Sequence, residues 1–570
     1  MLLLGCVFII GSNILHINMP LIVKDAVNQF EAEFDTQNWM YIAAKLGGLY
    51  ILLSLGKGVF LFLTRQTIIK VSRYIEFDLK NEIYDQYQRL TYNFYKKNNT
   101  GDLMNRISED VSKVRLYLGP GVMYSVNLTI LFAFILYAMM SISVELTLYT
   151  LTPLPVMSYL VYKVSSRMNY QSERVQRQQS SISSLVQESF SGITVLKAYT
   201  GEERFQEKFD KHADDYLDRH MDLVKTNALF MPTITFLIGL STVLTIYLGG
   251  VLSFEAQSTI TNGDIVAFIF YVNMLTWPFA SVGWVTSLIQ RAAASQERVN
   301  EFLNQAPEVT SSTNENFEFN GKITFENVSF TFPSSGIDAV QNLSFEIQKG
   351  ETLAILGRTG SGKSTVINLL MRQFDPTSGK IKLDDQPLTE INIASFRKQT
   401  GVVPQEVFLF SDTVRNNILF GLNEGESMSD EEIYHYLKVA HVKHNIEQFD
   451  KKLDTQLGER GVNLSGGQKQ RLSIARALIR NPKFLILDDC LSAVDTETEQ
   501  VILSNLKDRI EKCTTLIVSH RASSIRYADR ILVLDEGKKV EEGTHEELLA
   551  QEGVYATIYQ QQLIDEASEN

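Results

Sequence analysis

Residues Gly357-Arg358-Thr359-Gly360-Ser361-Gly362-Lys363-Ser364 have the spacing G-x-x-x-x-G-K-S, with Thr365 next. The apolar run Thr352–Leu356 precedes them and a helical pattern follows. The chemistry of such a loop is phosphate binding. Glycines let backbone N–H groups curl around phosphate oxygens, and the helix start adds the positive end of its dipole. Lys363 is placed for the β- and γ-phosphates and Ser364 for a Mg²⁺ ion. A glycine-rich turn can be purely structural; the Lys-Ser pair and the flanking strand and helix decide for phosphate. A second buried strand, Phe484-Leu485-Ile486-Leu487-Asp488, ends in a carboxylate suited to holding Mg²⁺ through its water shell.

These groups stand in the acidic part of the chain. Residues 1–300 carry 25 basic and 25 acidic side chains, whereas residues 301–570 carry 28 and 41, the source of the net charge of −13. An acidic second half is the wrong surface for a phosphate backbone, so nucleic acid is excluded as a partner. Cys6, Cys490 and Cys513 are too few and too scattered for a disulfide framework or a zinc site.

The first half offers six apolar runs near the ~20 residues a helical span needs: Leu2–Val23, Trp39–Leu63, Leu116–Ile142, Leu146–Val161, Thr226–Leu252 and Ile265–Gln290. The fourth is short and holds Pro153 and Pro155. Met123–Met140 is apolar on all sides, which suits lipid better than the amphipathic stripe of a soluble helix. Asn28–Asn38, Ser141–Glu145 and Ser253–Asp264 lack Lys and Arg, while Arg65–Arg115 and Lys163–Lys225 are rich in both. The positive-inside rule therefore puts both termini in the cytoplasm. The long cytoplasmic connections read as helices over Ile68–Leu90 and Ile182–Phe209, with turns near Phe94–Asp102 and Tyr199–Glu203. Leu3-Leu4-Gly5-Cys6 looks superficially like a lipoprotein cleavage box, but no Lys or Arg precedes Lys24, so it reads as the start of the first span. Lys57, deep in the second run, is expected to line a cavity or to snorkel. Phe268, Phe270, Tyr271, Trp277, Phe279 and Trp284 in the sixth suit either an aromatic ligand or lipid.

Leu464-Ser465-Gly466-Gly467-Gln468 matches the signature of ATP-binding cassette (ABC) transporters. Gln405 in Val402-Val403-Pro404-Gln405, Ser492-Ala493-Val494-Asp495 and His520 in Val518-Ser519-His520 follow in the family's order. Gly458-Glu459-Arg460-Gly461 resembles a short exporter loop, and Gly101–Arg106 and Lys197-Ala198-Tyr199 resemble the cytoplasmic contact regions of exporter membrane domains. The whole chain thus resembles an ABC exporter half-transporter. That resemblance implies an all-α six-helix membrane domain (1–304), a linker (305–322) and an α/β P-loop cassette with a helical subdomain (323–560), followed by an acidic tail (561–570). It implies ATP and Mg²⁺, the ion held by Ser364, Gln405 and Asp488. Phe332 would stack on adenine, and Asp489, His520 and Gln405 would act on the γ-phosphate. Residues Leu464–Gln468 would complete the site of a partner cassette.

Two departures from the family pattern stand out. The chain starts inside its first span, without the usual short amphipathic helix before it. Asp489 stands where the family's base is glutamate. Aspartate there beside an intact signature resembles the degenerate-site subunit of heterodimeric exporters, with a homodimer as the alternative. The expected activity is ATP-driven export of an amphipathic small molecule, lipid or peptide across a bacterial-type inner membrane, with the cassette cytoplasmic. A soluble cassette ATPase is disfavoured by the six runs. A cassette-regulated channel or receptor remains the rival reading, and only a pump accumulates substrate against a gradient.

Overall fold

Apolar residues on every face make Val122–Ile142 a helix that satisfies its own backbone and exposes no polar side to a core. The structure, a computed structural model, describes residues 1–32, 39–254, 260–458, 461, 463–492 and 494–569; Glu459, Arg460 and Ala493 of the expected motifs lie outside the described residues. The chain divides into two units, Met1–Gln88 with Thr100–Gln305, and Arg89–Asn99 with Ala306–Asn570.

Among the described residues, five helices are long and apolar enough to cross a membrane: Leu2–Ala32, Trp39–Arg89, Thr100–Ile142, Glu202–Ser253 and Asn262–Leu303. The fourth apolar run is shared between two helices instead of lying in one. Val144–Leu151 ends at Thr152 and Pro153 opens Pro153–Ser191, a first-turn position where its missing N–H is no loss. The helical segment over Ile182–Phe209 turns at Tyr199-Thr200-Gly201, as expected, with Thr200 at φ +48°, and is broken once more at Gly192. Phe268 and Tyr271 are fully buried among Leu131, Ile135, Met139 and Ile234, so these two aromatics are core, not ligand-facing. Tyr271 donates its hydroxyl to the carbonyl of Ile17 at 3.0 Å. Phe270, Trp277 and Trp284 are exposed. Lys57 is half-buried, one residue from Gly56, where an added Cβ would lie 2.9 Å from Leu15.

Among the described residues, long-range ion pairs tie the helices of this unit, two of them on buried carboxylates. Lys24 lies 2.6 Å from the buried carboxylate of Asp264, whose other oxygen caps the last long helix through Thr261. Asp110, also buried, accepts from Ser295 at 2.9 Å and from Nε of Arg298 at 3.0 Å.

The second unit holds two sheets. A four-stranded antiparallel sheet runs β2–β1–β4–β5, with β1 Ile323–Thr331, β2 Asp338–Ile347, β4 Ser378–Leu383 and β5 Gln386–Pro387. A six-stranded sheet runs β10–β9–β3–β8–β7–β6, with β3 Thr352–Gly357, β6 Thr400–Val403, β7 Phe484–Asp488, β8 Thr514–Ser519, β9 Arg530–Asp535 and β10 Lys538–Gly543. All its pairings are parallel except β9 with β10. Its central strands β3, β7 and β8 are buried along their whole length, as parallel strands covered on both faces must be. Residues 561–569 of the expected acidic tail continue the helix Val554–Glu569, and Asn570 lies outside the described residues. The short helix Tyr92–Lys97 belongs to this unit: Asn93 donates to both oxygens of Glu308, at 2.9 and 2.7 Å.

Candidate nucleotide site

Parallel strands all end on the same side, so residues just beyond β3, β6, β7 and β8 converge on one crevice, where open α/β sheets bind ligands. The structure uses this arrangement fully. The glycine loop follows β3, Gln405 follows β6, Asp488 and Asp489 close β7, and His520 follows β8. Together Thr359, Gly360, Gly362, Lys363, Ser364, Thr365, Gln405, Asp488, Asp489 and His520 line a cleft of about 310 Å³ with Phe332 at its edge.

Two of the loop's glycines, Gly357 and Gly362, are sterically required. Gly362 has φ +98°, and a Cβ there would lie 2.3 Å from the carbonyl oxygen of Ala339. At Gly357 a Cβ would lie 2.3 Å from the carbonyl of Leu534. Lys363 opens the helix Lys363–Leu370 and folds back, its Nζ donating to the carbonyls of Gly357 at 2.7 Å and Arg358 at 2.8 Å. The lysine therefore rests within the mouth of its own loop. Burial lowers the pKa of Lys363, opposed by the charges of Asp489 and Asp488. The Asp488 carboxyl is pushed up to about 6 by burial first and by Asp489 second, with Lys363 opposing.

Asp489 engages two groups. Its Oδ1 lies 2.7 Å from Nδ1 of His520, and its Oδ2 accepts from the Gln405 amide at 3.3 Å. Its backbone takes φ +44°, a conformation a non-glycine residue rarely adopts, anchored by its N–H donating to Val518 at 2.7 Å.

The donor set suits a hard cation. Ser364 offers a hydroxyl, Gln405 an amide oxygen and Asp488 a carboxylate, the oxygen ligands Mg²⁺ takes alongside phosphate. The raised pKa of Asp488 marks a buried charge that a cation would compensate. The Ser361 hydroxyl is buried against Gly357, outside the cleft lining, without a hydrogen-bond partner among the described residues.

Leu464–Gln468 does not join this cleft. Ser465 caps the helix Gly466–Leu478, reciprocally bonded with Gln468, and both Ser465 and Gly466 are exposed. Phe332 is half-buried, edge-on to Phe330 and Phe374, with Nζ of Lys96 5.2 Å from its ring centre. Motif reading missed Ile337, Asp338 and Ala339, which line the same cleft. They arrive through the turn after Phe332, where Gly336 N–H donates to the Phe332 carbonyl at 2.9 Å. Ser334-Ser335-Gly336 was the sequence signal for that turn.

Comparisons with known proteins follow the same division of the chain. Residues 2–279 match the family described as ABC transporter transmembrane region, and residues 340–492 the family described as ABC transporter. The chain is 35% identical over 569 residues to the probable multidrug resistance ABC transporter ATP-binding/permease protein YheI of Bacillus subtilis, covering 99% of this chain and 96% of that protein. It is 31% identical to the ATP-dependent lipid A-core flippase of Coxiella burnetii, over 99% and 94% of the two chains. Among solved structures, a bacterial Atm1-family ABC exporter with ATP bound superposes with a TM-score of 0.81 at 27% identity, covering 98% of this chain and 97% of that one.

Proposed function

We propose a specific role on the premise that this chain belongs to the ABC transporter family, as a membrane-embedded half of a dimeric, ATP-driven exporter: its own ATP site is the slow one of a heterodimer that moves amphipathic molecules out across a bacterial-type inner membrane. The carrying observation is one cleft that gathers the phosphate loop, Gln405, Asp488, Asp489 and His520 on a chain that also bears long apolar helices.

In this reading the loop from Gly357 to Thr365 cradles the phosphates, Lys363 swings from its two carbonyls onto the γ-phosphate, and Phe332 stacks on the base. Mg²⁺, held by Ser364, Gln405 and Asp488, would neutralise phosphate charge as it does in other P-loop enzymes. Asp489 orients the attacking water and His520 steadies that carboxylate. The aspartate side chain is one methylene shorter than glutamate, retracting the carboxylate by roughly 1 Å, and such a displacement can cost on the order of a hundredfold in rate. The exposed Ser465 and Gly466 face outward to complete the partner's site, which explains why they do not complete their own. The relatives with multidrug and lipid A names support an amphipathic substrate. The basic loops support a cytoplasmic cassette.

Inverted membrane vesicles test the export reading. ATP-dependent accumulation of a fluorescent amphiphile against its gradient is expected, and it should vanish in Lys363→Ala. Passive equilibration that ATP merely gates would show a channel instead.

A further inference from the structure

The second apolar helix ends in a π-helical turn, Arg65–Ile69, and a second π turn, Tyr117–Gly121, sits against it. The packing is close: a Cβ at Gly119 would lie 3.5 Å from Ile69, the last residue of the first turn, and 2.6 Å from the hydroxyl of Ser72 just beyond it. Pro120 accounts for the second turn, since its ring does not fit a regular α turn. Isolated π turns are uncommon and concentrate at functional sites. Here they border a groove of about 610 Å³, a size suited to a drug-like or lipid-like molecule.

The lining combines two chemistries. Arg65, Gln66 and Lys70 supply two cations and an amide, while Met123, Tyr124 and Trp284 supply an apolar wall, the two rings meeting edge to face at 5.4 Å. No ion pair engages Arg65 or Lys70 among the described residues. The sequence explains this: residues 39–75, 111–144 and 265–296, which supply the walls, contain no Asp or Glu. Two uncompensated cations beside exposed aromatic surface favour an anionic head joined to an apolar body.

We propose that this groove binds an amphipathic organic anion, its phosphate, sulfonate or carboxylate on Arg65 and Lys70 and its apolar part on Trp284 and Tyr124. Its use as a loading site rests on the export reading; the binding itself does not.

The test uses the purified full-length chain in phosphatidylcholine nanodiscs, with Trp39→Phe and Trp277→Phe leaving Trp284 as the sole tryptophan. The probe is anilinonaphthalenesulfonate, with neutral phenylnaphthylamine as control. Saturable quenching of Trp284 by the sulfonate is expected. Arg65→Gln with Lys70→Gln should weaken it about tenfold or more, while Arg65→Lys with Lys70→Arg should keep it. The neutral probe should not respond to the glutamines. Arg65→Gln and Lys70→Gln singly give the same reading if the pair does not assemble. Replacing the lipid with phosphatidylglycerol separates sources: lost sulfonate binding assigns the groove to an anionic lipid head, and retained binding to a soluble amphiphile. Equal sulfonate affinity in parent and glutamine variants would overturn the proposal. Because binding is read without ATP, a chain that binds the probe and does not pump overturns the export reading alone.

Discussion

The carboxylate of Asp489 lies 2.7 Å from Nδ1 of His520, while its second oxygen takes the Gln405 amide at 3.3 Å. Three residues from the ends of three strands therefore form one chain of contacts beside the phosphate loop. The aspartate at its centre is held in a left-handed backbone conformation, the kind of strain that persists where the surrounding structure demands it.

Lys363 is satisfied locally by two carbonyls, so its removal should not unfold the cassette. Lys363→Ala is expected to weaken ATP binding to this cassette by about tenfold or more while leaving the thermal unfolding midpoint within a few degrees of the parent. Unchanged ATP affinity in the purified variant would remove the loop from the mechanism.

Gly362→Ala should behave differently, because both the positive φ and the Ala339 carbonyl oppose a methyl group. A loss of about 2 kcal/mol or more of cassette stability is expected, together with nucleotide binding. Denaturant unfolding checks it; a variant as stable as the parent contradicts the described loop geometry.

Asp488 makes a pH prediction. Its folded pKa, up to about 6, lies above the ordinary aspartate value. Between those two values the folded state holds the proton that the unfolded chain has released, so this group's stabilisation is full at lower pH and is lost as pH rises through 6. Charged Asp488 thus costs the cassette up to about 3 kcal/mol at pH 8. Asp488→Asn should be more stable than the parent at pH 8, by about half that margin at pH 5, and inactive. Thermal unfolding at the two pH values, without nucleotide, reads the difference; an equal effect at both would refute it.

The Lys24–Asp264 pair gives a prediction for the membrane half. Lys24→Met leaves a buried carboxylate without its counter-charge, a change that costs about 3 kcal/mol in buried pairs. Lys24→Met with Asp264→Asn should recover part of that loss. A detergent-solubilised melting comparison decides it, and no recovery in the double variant would deny the coupling.

The phosphate loop was legible because its chemistry is local: eight consecutive residues between a strand and a helix carry it. So was Asp488, whose meaning comes from ending an apolar strand. The contact between Asp489 and His520 spans 31 residues of sequence, and strand order alone creates it. Lys24 and Asp264 are farther apart still, with no pattern linking them. Of the two π turns beside the groove, only the one holding Pro120 left a compositional mark. Buried Phe268 and Tyr271 were indistinguishable from exposed Trp277 and Trp284, because an all-apolar helix carries no stripe to say which face is inside. The break at Thr152 was foreshadowed by Pro153.

The most direct measurement of the central claim is ATP turnover by this chain alone, purified and reconstituted, as parent, Asp489→Glu and Asp489→Asn. A slow site limited by its short carboxylate predicts low turnover in the parent, a rise of about tenfold or more in Asp489→Glu, and little further loss in Asp489→Asn when the chain is assembled with a competent partner. Brisk turnover by the lone parent, abolished in Asp489→Asn and not improved in Asp489→Glu, would contradict the account and show a self-sufficient homodimer.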